Sequence, residues 1–269
     1  MRQIFEGIRK RWTIIKINTI NSWQEETAHF WNNWGNFFST LSYTIVIFLF
    51  YHFLIYKFKT IAGYNIDQFL LLNLFGQMFF YSAYGFSKQS IDKFIMAVKK
   101  GNLDFVLLRP MPSMFYISFR SIPIISTFRD SLITISLSAF IINWSNLHLN
   151  PYNVFVALVM FALGIVIWHC IMFILAFTVF WLGESKRIYL LSEEISDNKS
   201  LPYDGFPKNI RLFFTFVIPS MLVYPLSVSI FLGKSTTKWF FWSLTVMIFF
   251  LLLKNWVWKQ GLKAYTSAS

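Results

Sequence analysis

Apolar residues run along this chain in blocks too long for the core of a soluble domain. A membrane-spanning helix needs about 20 mostly apolar residues. Five blocks reach that length, at 34–56, 66–86, 128–144, 154–182 and 238–258. A sixth, at 212–232, is long enough but contains Pro219 and Pro225. It reads as a kinked span or as a hairpin that enters the membrane and returns. Residues 1–25 follow another pattern. Ile4, Ile8 and Ile15 share a helical stripe with Trp12, Arg9, Lys10 and Lys16 point away, and Arg11 intrudes on the apolar edge. The pattern predicts a helix lying in the headgroup plane with its basic side chains on anionic lipid.

The loop at 87–113 is patterned as well. Ile91, Phe94, Ile95 and Val98 recur at helical spacing. Ser90 stands where a cap would start this helix, Asp92 falls in its first turn, and Gly101 follows Lys99 and Lys100 as a stop. Leu103, Phe105, Val106, Leu107 and Leu108 make a second short apolar stretch before Arg109-Pro110. Such a helix either packs on lipid or offers its face to a partner's groove, and the pattern alone favours neither.

Residues 184–204 resist placement by hydropathy. They hold five of the twelve acids: Glu184, Glu193, Glu194, Asp197 and Asp204. Glu193, Glu194, Asp197 and Lys199 at a helix centre would together cost on the order of 10 kcal/mol against lipid. The stretch is therefore a loop, or a span shielded from lipid. In the second case Glu193, Glu194 and Asp197 would line a polar translocation pathway.

Composition settles the class. Apolar residues make up 56% of the chain and charged ones only 13%, about half the share of a soluble domain. The net charge of +12 would fit nucleic acid if it covered one solvated face. It sits instead in short clusters between apolar blocks, so no nucleic acid is expected. Five Lys and Arg precede residue 20, six lie in 87–122 and three at the C-terminal end, fourteen in all, against four in the alternate loops. The positive-inside rule places both termini and the 87–122 loop in the cytoplasm, which requires an even number of spans. No signal peptide is read at the start.

Catalytic and metal-binding patterns are lacking. His29, His52, His148 and His169 are scattered, and His52 and His169 read as satisfied core residues. Cys170 reads as a small buried hydrophobe. Gly233-Lys234-Ser235 superficially matches the end of a phosphate-binding loop, but Val228 stands where the first Gly belongs. No enzyme activity, cofactor or metal is assigned to this chain.

Residues 101–110, Gly-Asn-Leu-Asp-Phe-Val-Leu-Leu-Arg-Pro, resemble the G-x-L-D-x-x-L-x-[KR]-P stretch of permease subunits of type-2 ABC exporters. Residues 201–211, Leu-Pro-Tyr-Asp-Gly-Phe-Pro-Lys-Asn-Ile-Arg, are similar to the Y-P-x-x-I-F-P-x-x-[IL]-R of the branch that carries no ATPase domain. Phe214-Thr215-Phe216-Val217-Ile218-Pro219 matches its T-F-V-[IL]-P, and Gly261-Leu262-Lys263-Ala264-Tyr265-Thr266-Ser267-Ala268-Ser269 its tail.

The resemblance implies an all-α integral membrane protein, a single permease domain over 1–269. It would have six spans, the interfacial helix at 1–25, a cytoplasmic coupling helix within 87–113 and a re-entrant hairpin at 205–233. Residues 184–203 would then be span five, although relatives are more apolar there. It further implies a second permease, identical or related, and a cytoplasmic ABC ATPase subunit that holds ATP and Mg. Lipid surrounds the whole, in a bacterial plasma (inner) membrane. Asp92, Lys93, Lys99, Lys100 and Arg109 would be polar contacts to that ATPase, with Phe94, Ile95 and Phe105 as apolar anchors. A secondary transporter or channel without an ATPase is the alternative, and no internal repeat supports it.

Overall fold

The computed structural model describes residues 2–28, 30–109, 111–183 and 202–265. Within them the chain is helical and contains no strand. Helix α1 (Arg2–Ala28) precedes α2 (Phe30–Phe58). A short turn leads to α3 (Ile66–Phe79), opened by a capping box between Asn65 and Gln68. A π-helical turn at Phe80–Tyr84 joins α3 to α4 (Gly85–Lys99), and the three form one apolar rod, Ile66–Lys99, of 34 residues. Two short helices follow, α5 (Asp104–Leu107) and α6 (Ser113–Ser118). Helices α7 (Ile124–Ile141) and α8 (Pro151–Phe177) come next, and α9 (Val179–Leu182) continues α8. After residues 184–201 come α10 (Lys208–Phe216), α11 (Pro225–Phe231) and α12 (Trp239–Ala264).

Five of these helical stretches are long and apolar enough to cross a membrane, and α10 with Ser220–Phe231 makes a sixth candidate, a pair bent by 85°. The protein is an all-α, multi-pass membrane protein. The bundle has two ends. One carries α1, α5, α6 and the C-terminal Tyr265, and is called the loop end here. The other, the hairpin end, carries residues 59–65, 142–150 and 202–238.

The second arm of the bent pair is buried, while α10 leaves Ile210, Leu212, Phe213 and Phe216 exposed. Pro219 and Pro225 deny the helix its continuous hydrogen bonds, so the chain turns. From Ser220 to Phe231 every residue is buried. Gly164 on α8 permits this approach: a Cβ there would lie 2.6 Å from Val223 Cα. Tyr224 stacks on Phe79 at 5.7 Å and Phe231 meets Phe75 edge-on at 5.5 Å. Leu182 and Tyr203 flank residues 184–201 at opposite ends of the bundle. Trp181's neighbour Phe180 packs on Trp258 and Tyr265, whereas Asp204 bonds Tyr64. Glu193, Glu194 and Asp197, and with them the choice between span and loop, lie outside the described residues.

Two sequence expectations change. The helix around Phe94 is not a separate loop helix begun by Ser90, because α4 continues from the span through the π turn. Ser90 Oγ instead accepts from Ser121 N and donates to Ser121 O, both at 3.0 Å, pinning the next segment to the rod. Gly101 does stop the helix. It takes a positive φ of 67°, and Gly101 N and Asn102 N bond back to Val98 O and Ala97 O, a Schellman end. In α1 the packing stripe is Ile14, Asn18, Ser22 and Glu26, one turn apart, while Trp12 is exposed. Asn18 Nδ2 donates to Phe119 O, Ser22 Oγ accepts from Ile122 N, and Glu26 accepts from Ile125 N at 2.8 Å. Glu26 thus supplies α7 with a carboxylate at its N-terminus, where the helix dipole favours one.

Candidate functional site

Three polar regions are built by this arrangement. The first is a cleft of about 490 Å³ at the loop end. The C-terminal half of α4 forms one wall and α5 the other. Asp92, Lys93, Lys100, Phe105, Arg109 and Arg120 line it. Phe105 is 69% and Leu108 81% exposed, and Met96 is exposed beside them. Apolar side chains left open on a short charged element mark a docking surface more often than a finished one. Arg109 is held in place by the Tyr116 ring, 4.7 Å from its guanidinium carbon. Lys93 Nζ reaches Ser121 Oγ and the Glu25 carboxylate, both at 3.1 Å.

Of the residues that sequence placed on a partner, Asp92, Lys93, Lys100, Phe105 and Arg109 therefore share one cleft. Lys99 is exposed next to it. Phe94 and Ile95 are not anchors for a partner. Phe94 is fully buried, boxed by Phe177, Phe180 and Trp258 at 5.3–6.0 Å, and Ile95 is buried beside it. Helical periodicity had located an apolar face correctly. That face packs against α8, α9 and α12 of the same chain.

The second region is a buried polar layer midway along the bundle. Gln77 Oε1 accepts from Thr44 of α2 and Thr134 of α7, both at 3.2 Å, and from Tyr81 OH at 3.1 Å. Gln77 Nε2 donates to Asn73 Oδ1 at 2.6 Å. Towards the loop end this layer opens into a cleft of about 480 Å³ between α2, α7 and the π turn, lined by Thr40, Tyr81, Lys88, Arg129 and Asp130 among others. Asp130 pairs with its neighbour Arg129 at 2.8 Å and accepts from Thr40. Gly85 keeps the π turn against α7, since a Cβ there would collide with Thr127 Oγ1.

The third lies at the hairpin end. Tyr64 OH donates to Asp204 at 3.1 Å, Ser229 donates to the same oxygen, and Arg211 approaches at 3.5 Å. Lys234 donates to Gly63 O at 2.6 Å and sits 3.6 Å from the Tyr64 ring centre. Burial pushes the Tyr64 phenol above its usual range, and the nearby Asp204 carboxylate adds to that. Burial also pulls Lys234 down. Gly233-Lys234-Ser235 is thus a tie between two loops.

Sequence reasoning missed Lys254, which it counted among the loop charges, and the Gln77 layer. Lys254 was discoverable as the cation in the interior of the last apolar block, which Lys238 only opens. His52 is exposed on α2, whereas His169 has Ser87 Oγ at 2.9 Å and so has a polar partner. No group of three or more metal-binding side chains occurs among the described residues.

A helical permease scaffold with an exposed charged elbow at one end and a hairpin with one buried arm at the other is the class these features define. The family described as "ABC-2 family transporter protein" matches residues 41–269, and the chain belongs to that family. No curated protein and no solved structure matches it significantly. The protein is thus an ABC-2 type membrane permease.

Proposed function

We propose that this permease forms the translocation pathway of an exporter driven by a separate cytoplasmic ABC ATPase seated at the loop-end cleft. Two permeases, identical or related, pair in the plasma membrane with both termini cytoplasmic. The observation that carries the reading is the exposed apolar trio Met96, Phe105 and Leu108 beside Lys99, Lys100 and Arg109. These residues sit at the tip of a rod roughly 50 Å long. ATP and Mg belong to the partner, and this chain contributes leverage. Approach of two nucleotide-bound ATPases pushes on α4 and α5. Force entering at Lys99 travels along the rod to the π turn, where the i→i−4 hydrogen-bond ladder is broken and bending is easiest. There it meets α7 at Gly85 and the Gln77 layer, so α2 and α7 shift with it. A difference in binding energy between the two ATPase states is thereby turned into a shift between two permease states. Glu193, Glu194 and Asp197 are proposed to add an acidic stretch to the pathway, favouring cationic cargo. The exposed Trp12, Ile20 and Trp23 of α1 suit a helix resting in the headgroup layer.

The test is sided. Leu108→Cys, read against the buried native Cys170, is labelled by a membrane-impermeant thiol reagent in inverted vesicles and not in intact cells. Lys99→Glu with Lys100→Glu leaves the permease folded and abolishes ATP-driven export from those cells. Labelling of Leu108→Cys from outside, or normal export by the double variant, refutes the proposal.

A further inference from the structure

We propose that the apolar pocket beside Lys254 holds an acidic phospholipid of the adjoining leaflet, one acyl chain inside and the acidic headgroup on the Lys254 ammonium. The pocket, about 350 Å³, lies between α4, α6, α8 and α12 in the half of the bundle nearer the loop end. Its walls are almost wholly apolar, from Phe86, Met114, Phe115, Ile165 and Leu251, and Phe86, Val166 and Leu251 are exposed at its edge. Lys254, only 4% exposed, lines it.

The surroundings of Lys254 explain what is wanted there. Its Nζ donates to Ser118 Oγ at 2.7 Å, stands 3.4 Å from His169 Nε2 and lies 4.4 Å from the centre of the Phe173 ring. None of these carries a negative charge. Among the described residues no carboxylate is in ion-pair reach of it. A buried ammonium without a counter-ion is costly, and ionisable groups at membrane depth usually serve a ligand or a pathway. Arg11 lies 5.7 Å from the ring centre of Phe115, one of the wall residues. A buried cation with, among the described residues, no acid beside it on an apolar slot complements an anionic headgroup with a hydrocarbon tail. The pocket is too apolar for a free small anion, and its exposed edge faces the region of lipid chains. A zwitterionic headgroup would bring its own cation to the same place and lose the advantage.

Native mass spectrometry of the purified permease, with phosphatidylglycerol or phosphatidylcholine added, reads the site. The wild type retains phosphatidylglycerol about tenfold better than phosphatidylcholine. Lys254→Gln brings the two within about twofold, while Lys254→Arg keeps the preference. Val166→Trp narrows the mouth without touching charge and lowers retention of both lipids, so it carries the test if Lys254→Gln does not fold. Equal retention by the wild type, or an intact preference in Lys254→Gln, overturns the proposal. So does displacement of the lipid by inorganic phosphate alone, which would mark a simple anion site. Spontaneous Val166→Cys disulfides between two copies, with lipid excluded, would make the pocket an interface and overturn it as well.

Discussion

The elbow at the loop end and the inner arm of the hairpin at the other end are both short helices joined by tight turns, yet they treat apolar residues oppositely. From Ser220 to Phe231 that arm hides everything it has, against α3 and α8. The elbow hides Leu103 and Val106 and leaves Met96, Phe105 and Leu108 open. An arm finished by its own chain is a fixed part of the scaffold. The elbow's open apolar side chains are the surface on which the proposed ATPase would sit. Charge does not follow the same division, since Lys93 and Arg109 of the elbow have partners in the same chain just as Lys234 and Arg211 do.

The strongest way to break this comparison is at Gly164. Gly164→Val drives a branched side chain into the Val223 backbone, which cannot yield as a flexible side chain would. The expected outcome is loss of monodisperse protein on size exclusion, and Gly164→Ala should lower the unfolding temperature by an amount that corresponds to about 1–3 kcal/mol. Next comes a contrast within the elbow. Phe94→Ala should cost about 3–5 kcal/mol by emptying an aromatic box, measured by thermal unfolding in detergent. Phe105→Ala and Leu108→Ala should each change stability by less than about 0.5 kcal/mol but abolish ATP-driven export. Equal stability losses for Phe94→Ala and Phe105→Ala would erase the distinction.

A smaller effect tests the hairpin end by pH. The Tyr64 phenol is raised in the folded state, so the folded chain holds its proton more tightly than the unfolded one. Its contribution is present below the ordinary phenol value of about 10 and is lost as pH climbs beyond it. Lys234, lowered by burial, acts with the opposite sign. Unfolding followed from pH 9 upward should therefore show a loss of stability that Tyr64→Phe removes. The smallest effect is at the elbow's base. Glu25→Gln breaks an exposed pair with Lys93 and should cost about 0.2–1 kcal/mol, less in high salt.

Much of the bundle was legible because lipid imposes a simple rule, and the long apolar blocks became helices near their expected ends, except that the 66–86 block runs on to Lys99. Side-chain partners were not legible where they came from distant parts of the chain. The spacing of Ile91, Phe94 and Ile95 declared an apolar face, but only the arrival of Phe177 and Trp258 decides that the face looks inward. Lys254 counts as one of the C-terminal loop charges until Ser118, from a loop helix, is brought to it. The π turn left no mark in the pattern, since Phe80 to Tyr84 fall inside the continuous 66–86 block. Glu26 gave no signal in the sequence because its partners, Ile125 and Ser126, lie about a hundred positions on.

That last separation has a consequence for how the protein is made. The first helix leaves the ribosome well before the backbone groups that Asn18, Ser22 and Glu26 will bind, which lie 99 to 101 positions downstream. Two full spans must be threaded into the bilayer in the interval. During that time α1 lacks the partners that fix it, and its exposed tryptophans stay uncovered. This helix is therefore synthesised early and fastened late, closing over the turn before α7 like a buckle once the third span has begun.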